Sequence, residues 1–345
     1  MFSWKIYNWT KNHTHTNKSN LGIICYGLLV GFSSLSINNL AQAQTVENYP
    51  NRPVTILIPM AAGGTTDILA RIITPSLTEE LGQPIVIDNK PGANGVIGEE
   101  QFARAKPDGY LIMMESTSIV INPSMGKLNY DPRKDFIPVT VIGSTPVVVV
   151  VNPKVPVNTL QELIDLAKKQ PGKLNYSSWG NGSVGQFAGE TLKISAKINL
   201  LHVPYKSTAQ ALTDVVAGQV DAMFPSVSLA NQHLKSGKLR PLAIMSSKRS
   251  AMAPNIPTTA ELGFPGMEIE TWLGVFLPAK TPDAIVQRIY LSTQKILQKP
   301  SIRTQLEEQG FRIVGSSPAE FAKYYQAEIS RYANIVKEAN MKESD

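Results

Sequence analysis

The chain has 345 residues, 43% hydrophobic and 17% charged, a balance that sustains an ordinary buried core and excludes a disordered or fibrous polymer. Its formal charge is +6, but Lys5, Lys11 and Lys18 fall within the first 43 residues, which hold no acid; the rest carries +3 without a run of five basic residues, which excludes a nucleic-acid footprint. The length allows about two domains, since single cores stop growing near ~250 residues.

In chain order, the first segment is basic, then apolar from Leu21 to about Ile37, and ends in Ala41-Gln42-Ala43. This is the pattern of a secretory signal peptide, residues 1–43, cleaved near Ala43, and the mature protein is expected to be exported. Ser33, Ser34, Ser36 and two asparagines interrupt the apolar run short of the ~20 residues that span a bilayer. Cys25 follows Ile23-Ile24 and lacks the small-residue setting of a lipid-attachment site. Beyond the leader no cysteine remains, so thiol catalysis is excluded, and only His202 and His233 are left, too few for a multi-histidine metal site. No metal and no cofactor is expected.

From Pro53 onward, short β-branched runs alternate with amphipathic segments, the order of an α/β fold with largely parallel sheets. Strands are predicted at Val54 to Ile58, Ile85 to Asp88, Tyr110 to Met114, Val139 to Ile142, Leu174 to Ser177, Leu200 to Val203, Ala222 to Phe224 and Leu239 to Met245. A helix starting near Thr65 is predicted to bury Ile68, Leu69, Ile72, Ile73 and Leu77. Thr159 to Glu162, Thr281 to Asp283 and Ser317 to Glu320 read as helix starts, the last two with Pro at the first position. The C-terminal part is predicted mostly helical, with Ile285, Ile289, Ile296, Phe321, Tyr324, Tyr325, Ile329 and Ile335 facing inward.

Two apolar segments look like crossings between lobes: the five valines Val147 to Val151, and Ile269 to Phe276. If both cross, residues 44–145 and 269–345 form a discontinuous first lobe and 146–268 the second.

Working loops of parallel α/β sheets lie at strand carboxyl ends. Met60, Ala61, Ala62, Gly63, Gly64, Thr65 and Thr66 form one such loop, where a helix N-terminus offers unpaired N–H groups to an anion. Asp67 would repel the anion and is assigned to capping the helix. Ser178, Trp179, Gly180, Asn181, Gly182 and Ser183 form a second strand-to-helix loop, and Ser116, Thr117 and Ser118 supply hydroxyls in a third. A single Gly-rich turn of this kind is by itself ordinary; two in opposite lobes favour binding. Trp179 supplies a flat wall for a ligand, while Trp272 packs on a crossing strand.

Sharper motifs fail. Gly180 to Gly185 matches G-x-G-x-x-G, but the next strand ends in Pro204-Tyr205-Lys206 without the ribose-binding acid. Asn181 stands where the hydrolase elbow needs Gly before Ser183. Lys173 and Lys238 precede Leu, which removes a phosphate loop. His202, inside an apolar strand, fits a structural role better than that of a general base.

Pro59 to Asp67, Asn89 to Gly95, Ala105 to Tyr110, Tyr130 to Phe136, His202 to Lys206, Gly218 to Asp221 and Ser236 to Arg240 with Lys248 to Ser250 together resemble the Bug family of periplasmic solute receptors, the extracytoplasmic component of tripartite tricarboxylate transporters. The resemblance spans about Tyr49 to Ile335 and implies the periplasm as the destination of the exported chain. It implies a two-lobed type II periplasmic-binding-protein fold, each lobe a mixed, mostly parallel sheet flanked by helices, with two crossing segments, closing like a flytrap on a small organic carboxylate. It implies carboxylate contacts through Ala61 to Thr66 and Ser178 to Ser183, with Ala93, Ser116 to Ser118, Tyr205 and the Pro225 position contributing. Departures from the family pattern fall at Met60, Trp179, Gly185-Gln186 and Pro225. Because Pro225 replaces a usual Asp, an aromatic or dicarboxylic acid is favoured over an amino acid. The implied partners are membrane transporter subunits, with a sensor ectodomain as the alternative; an exported hydrolase using Ser183 or His202 is the rival from another class. A monomer is expected, without nucleic acid.

Overall fold

The computed structural model describes residues 48–341, so the expected leader, residues 1–43, lies outside the described residues. The chain runs through β1 (Val54–Ile58), α1 (Thr65–Leu81), β2 (Ile85–Asn89), α2 (Val96–Ala103), β3 (Leu111–Ser116), α3 (Ser118–Ile121) and β4 (Phe136–Pro146). It continues through β5 (Val148–Val151), α4 (Leu160–Lys169), β6 (Asn175–Ser178), α5 (Val184–Ala196), β7 (Leu201–Pro204), α6 (Thr208–Ala217), β8 (Ala222–Met223), α7 (Val227–Lys235) and β9 (Arg240–Ile244). It ends with β10 (Glu270–Pro278), α8 (Asp283–Leu297), α9 (Pro300–Glu308), β11 (Arg312–Ile313) and α10 (Pro318–Glu338). All belong to one unit, Pro50–Asp345.

Two sheets organise these elements into a two-lobed α/β fold, with strand orders β11-β4-β10-β3-β1-β2 and β7-β6-β8-β5-β9. Both sheets are mixed. β1 is parallel to β2 and β3, and β6 to β7 and β8, while β10 pairs antiparallel with β3 and β4, and β5 with β8 and β9. The parallel half of each sheet is the βαβ part that the alternating sequence pattern predicted. The antiparallel half holds the strands that leave or re-enter a lobe, and here the expectation of mostly parallel sheets gives way.

The backbone passes between the sheets from Pro146 to Val148. There Val147 N donates to Ile269 O at 3.1 Å, and Met245 N donates to Val147 O at 2.8 Å. Side chains alternate across a strand, so Val147, Val149 and Val151 enter one apolar cluster while Val148 and Val150 enter another. This two-sided burial explains the five-valine run. Ile269 to Phe276 is more than a crossing: as β10 it lies between β3 and β4 and continues to Pro278.

Local differences from expectation have local causes. β4 is eleven residues long because β10 pairs along nearly all of it. Ile68 and Tyr324 are exposed, on the outer edges of the apolar stripes of α1 and α10. Ser317 and Glu320 form the full reciprocal capping box, whereas Glu162 reaches past Thr159 to accept from Asn158 N, and Thr281 is not the cap of α8. The ring of Tyr332 on α10 packs against Phe187 on α5 at 5.1 Å, tying the C-terminal helix to the second lobe. Among the described residues no helix is long and apolar enough to cross a membrane.

Candidate ligand-binding cleft

β1 ends at Ile58 and the chain turns through Pro59 to Gly64 into α1. The N-cap is Gly64, which has no side chain to accept a hydrogen bond, and none is made to the first turn. The leading amides of α1, those of Thr65, Thr66 and Asp67, are therefore left for another acceptor, next to the positive end of the helix dipole. Asp67 is a cap of a different kind from the one predicted. From inside the first turn its Oδ2 accepts from Gly63 N and from Arg71 Nε, both at 2.8 Å. Arg71, chiefly through its hydrogen bond, holds the Asp67 carboxyl below the usual range. That pairing offsets the negative charge at the helix end, and it removes the Gly63 amide from the donors open to a ligand.

The second lobe is built otherwise. Its four helices α4 to α7 are capped by Thr159, Ser183, Ser207 and Ser226. Ser183 Oγ donates to Gly180 O at 2.6 Å and accepts from Gln186 N, while Gly182 N donates to Gln186 Oε1 at 2.8 Å. Ser183 is only 1% exposed. Its hydroxyl serves the turn and satisfies the Gln186 amide, so what the expected second helix end offers an anion is its leading amides, those of Val184 and Gly185, and not the serine side chain. In this loop Asn181 is the exposed polar side chain.

Ser178 Oγ accepts from Gly180 N at 3.2 Å and lies 2.7 Å from His202 Nε2. His202 also stacks on Tyr176 at 5.0 Å, and burial pushes its pKa down to about 4. A serine beside a neutral histidine resembles a nucleophile and base, but Ser178 is wholly buried and spends its hydroxyl within the turn. His202 thus takes the structural role, bracing the loop from β7.

Two glycines one helical turn apart let α5 approach that loop. A Cβ on Gly185 would lie 2.6 Å from Trp179 Cζ3, and one on Gly189 would overlap the Tyr176 ring. Trp179 is half-buried and packs against both apolar clusters, with the six-membered part of its ring set against Gly185 of α5, so only part of the ring is open.

The third loop is also largely spent. Thr117 is fully buried, donating to Glu270 O at 3.1 Å and accepting from Trp272 N at 3.0 Å, which fixes β10 beside β3. Ser116 donates its hydroxyl to Glu115 Oε1 at 2.7 Å and sits 3.2 Å from Ser118 Oγ. Tyr205 donates to Asp214 Oδ2 at 2.7 Å, and Pro225 O accepts from Val148 N at 2.9 Å. These residues shape the walls around the loops. As direct side-chain donors, Ser116, Thr117, Ser183 and Tyr205 would first have to give up bonds they already make.

The lobes meet at Asn94. Its Nδ2 donates to Gly182 O at 3.2 Å and to Asn122 Oδ1 at 3.0 Å. Ala93 and Asn94 both have positive φ, 46° and 52°. Beneath them are groups the sequence did not flag: Asn122, Glu99, Glu115 and Tyr130. Asn122 Nδ2 donates to both Glu99 oxygens at 3.0 Å, and Tyr130 also donates to Glu99. Burial raises the Glu99 pKa to about 7; Glu115 is raised well above the carboxylate range by burial and by the charge of Glu99. Met60 joins the same cluster: its Cε and oxygens of Glu99 and Glu115 all lie within 3.4 Å of where a Gly95 Cβ would be. A fully buried glutamate on a short helix reads in sequence as a surface acid.

A separate cavity of about 720 Å³ lies away from these loops, between β4, β10, β11 and α10, with Trp272, Phe321 and Tyr324 among its walls. Among the described residues no cluster of three or more His, Cys, Asp or Glu could hold a metal ion.

Residues 69–341 match the family model described as the tripartite tricarboxylate transporter family receptor. The chain belongs to that receptor family. As a Bug-family receptor it is similar to solved relatives over nearly their whole length. The periplasmic binding protein BugD is 32% identical, with a TM-score of 0.76 over 86% of this chain and 100% of BugD. Rpa4515 of R. palustris, solved with adipate, is 34% identical with a TM-score of 0.77 over 85% of this chain and 98% of the relative. MatC of Rhodopseudomonas palustris, solved with bound malate, is 33% identical with a TM-score of 0.74 over 84% of this chain and 100% of MatC.

Proposed function

We propose that this receptor binds a small organic carboxylate in the periplasm, between its two lobes, and hands it to membrane transporter subunits rather than converting it. The observation that carries this reading is the uncapped N-terminus of α1 at the carboxyl end of β1, set against four capped helices in the facing lobe. An anion supplies the acceptor that Gly64 lacks, and Thr65 and Thr66 donate to it. The adipate and malate held by two relatives of the same fold support a dicarboxylate over a monovalent anion. Asn181 meets the far end of the ligand, and Met60 with the open part of the Trp179 ring contacts its carbon chain.

Magnitudes favour such a shared site. A micromolar Kd corresponds to roughly 8 kcal/mol, whereas one helix terminus contributes about 0.3 to 2 kcal/mol. The balance comes from further hydrogen bonds and apolar burial, so the ligand must touch both lobes and thereby favours the closed form. Residues 1–43 act as the export signal, with 44–145 plus 269–345 and 146–268 as the lobes that close.

The test is a thermal-shift panel of mono-, di- and tricarboxylates and amino acids on protein stripped by unfolding and refolding. A dicarboxylate at 100 times its Kd stabilises by about 2.7 kcal/mol. A saturable shift with a dicarboxylate that carries no amine and none with aspartate is expected; a preference for aspartate would overturn the ligand class, and turnover of the ligand would overturn the receptor role.

A further inference from the structure

We infer that Asn94 is a latch between the lobes, and that the buried Asn122–Glu99 pair is the device that aims it. The inference rests on the receptor reading above only in what the latch serves, retention of a ligand after closure. The bond itself is on the first lobe's side a carboxamide N–H and on the second lobe's side the carbonyl of Gly182, 3.2 Å apart.

A carboxamide can present either end, so something must make Asn94 a donor here. The direction follows from Glu99. Asn122 Nδ2 lies 3.0 Å from both Glu99 oxygens, and Tyr130 donates to the same carboxyl. In its ionised form a carboxyl receiving that many donors acts only as an acceptor, which turns the amino end of Asn122 toward it. Asn122 Oδ1 then faces Asn94 and can only accept. Asn94 must in turn point Nδ2 at Asn122, 3.0 Å away, and the same Nδ2 reaches Gly182 O. The polarity set at a buried carboxyl is thus passed through two amides to the surface where the lobes touch.

Asn122 grips the latch twice, because its Nδ2 also donates to Asn94 O at 3.1 Å. This second bond holds the backbone of Asn94 at φ 52° and ψ 33°, next to Ala93 at φ 46°. Asn tolerates the left-handed region better than most residues, through its short polar side chain, whereas Ala does not. Two such residues in succession are a local cost that the surrounding bonds must hold in place. Across the cleft Gly182 has φ 77°, a backbone conformation that favours glycine and that sets the direction of the carbonyl Asn94 meets. Asn122 is 4% exposed and Glu99 fully buried, so water does not compete for the aiming bonds.

Asn94→Asp tests the latch with almost no change of shape: it keeps the tolerance for positive φ and replaces a donor with an acceptor facing two acceptors. Spin labels at Lys106→Cys and Lys173→Cys, both exposed and one in each lobe, report the distance between lobes in the full chain carrying Cys25→Ser. The ligand-free protein is measured first, then the protein with adipate. Asn94→Asp should shift the ligand-free distance distribution toward the open form and speed adipate release roughly ten-fold, the effect of a lost donor left facing acceptors. Asn122→Asp keeps an acceptor toward Asn94 but removes the amino group that donates to Glu99 and to Asn94 O, and should shift the distances in the same direction by loosening the mount of the latch. Should Asn94→Asp fail to fold, Asn94→Ser, which keeps a short hydroxyl donor unable to reach both partners, gives the same readout. Unchanged distances and release rates in folded variants would overturn the latch. If adipate and the other carboxylates do not bind at all, the receptor reading fails while the ligand-free distances still decide the latch.

Discussion

The indole of Trp179 lies over Gly185, so close that a Cβ on the glycine would meet Cζ3 at 2.6 Å. The two positions are one packing unit: the large ring at the end of β6 is accommodated only because the first turn of α5 presents no side chain. Gly185→Ala is expected to displace the indole and destabilise the fold by about 1 to 3 kcal/mol, the range for overpacking. In protein starting at Gln44, which lacks Trp4 and Trp9, the other tryptophan is Trp272, 1% exposed, so a change in emission would report chiefly Trp179. Thermal unfolding together with emission spectra checks this, and unaltered spectra with unaltered stability would show that the ring is not seated on the helix.

Ser183→Ala separates a cap from a ligand donor. Because the hydroxyl is engaged with Gly180 and Gln186, its loss should lower stability by about 1 kcal/mol while leaving carboxylate affinity within two-fold. Denaturant unfolding and calorimetric titration of the same variant measure both effects.

Asp67→Ala should act in the reverse sense. It frees the Gly63 amide and releases Arg71, so the loop before α1 loses its internal brace. Carboxylate affinity is expected to fall by more than ten-fold as the leading amides lose their fixed geometry, whereas Arg71→Ala, which keeps the Gly63 bond, should cost less. Titrations of the two variants give the order.

Buried Glu99 and His202 tie stability to pH with opposite signs, and Glu115, also raised by burial, adds to the sense of Glu99. Glu99 has a folded pKa of about 7 against an ordinary 4.5, through burial, so between those values the folded state holds more protons and stability falls as pH rises. His202 has a folded pKa of about 4 against an ordinary 6.5, also through burial, so the unfolded state holds more protons and stability rises with pH over that window. Each contributes a slope of up to about 1.4 kcal/mol per pH unit. Between pH 5 and 6.5, relative to the unsubstituted protein, Glu99→Gln should shift the slope of stability against pH upward and His202→Gln should shift it downward. Denaturant midpoints at four pH values distinguish the two, and parallel profiles would contradict the assignment.

The parts of the fold that were legible in the sequence are those set by local periodicity. Val147 to Val151 declares a strand buried on both faces, and Ser317 with Glu320 declares a helix start. The placement of β10 between β3 and β4 was not legible, because it depends on bonds such as Trp272 N to Thr117 Oγ1, 155 residues apart in sequence. The loops were found, since glycines after strands mark them, but the use of each hydroxyl was not. A serine before a helix has the same sequence signature whether it caps the helix or binds a ligand, and the choice turns on partners such as Gln186 and Glu115. Glu99 needed Asn122 and Tyr130, which are 23 and 31 residues away, to become a buried acceptor.

Calorimetric titration of the stripped protein with adipate and with its uncharged diamide, which has the same carbon skeleton, decides whether the open end of α1 holds a carboxylate charge. Adipate should bind saturably and the diamide at least a hundred-fold more weakly, about 2.7 kcal/mol. Equal affinity for the two, or no binding of adipate, malate or any related dicarboxylate, would contradict a charge held there.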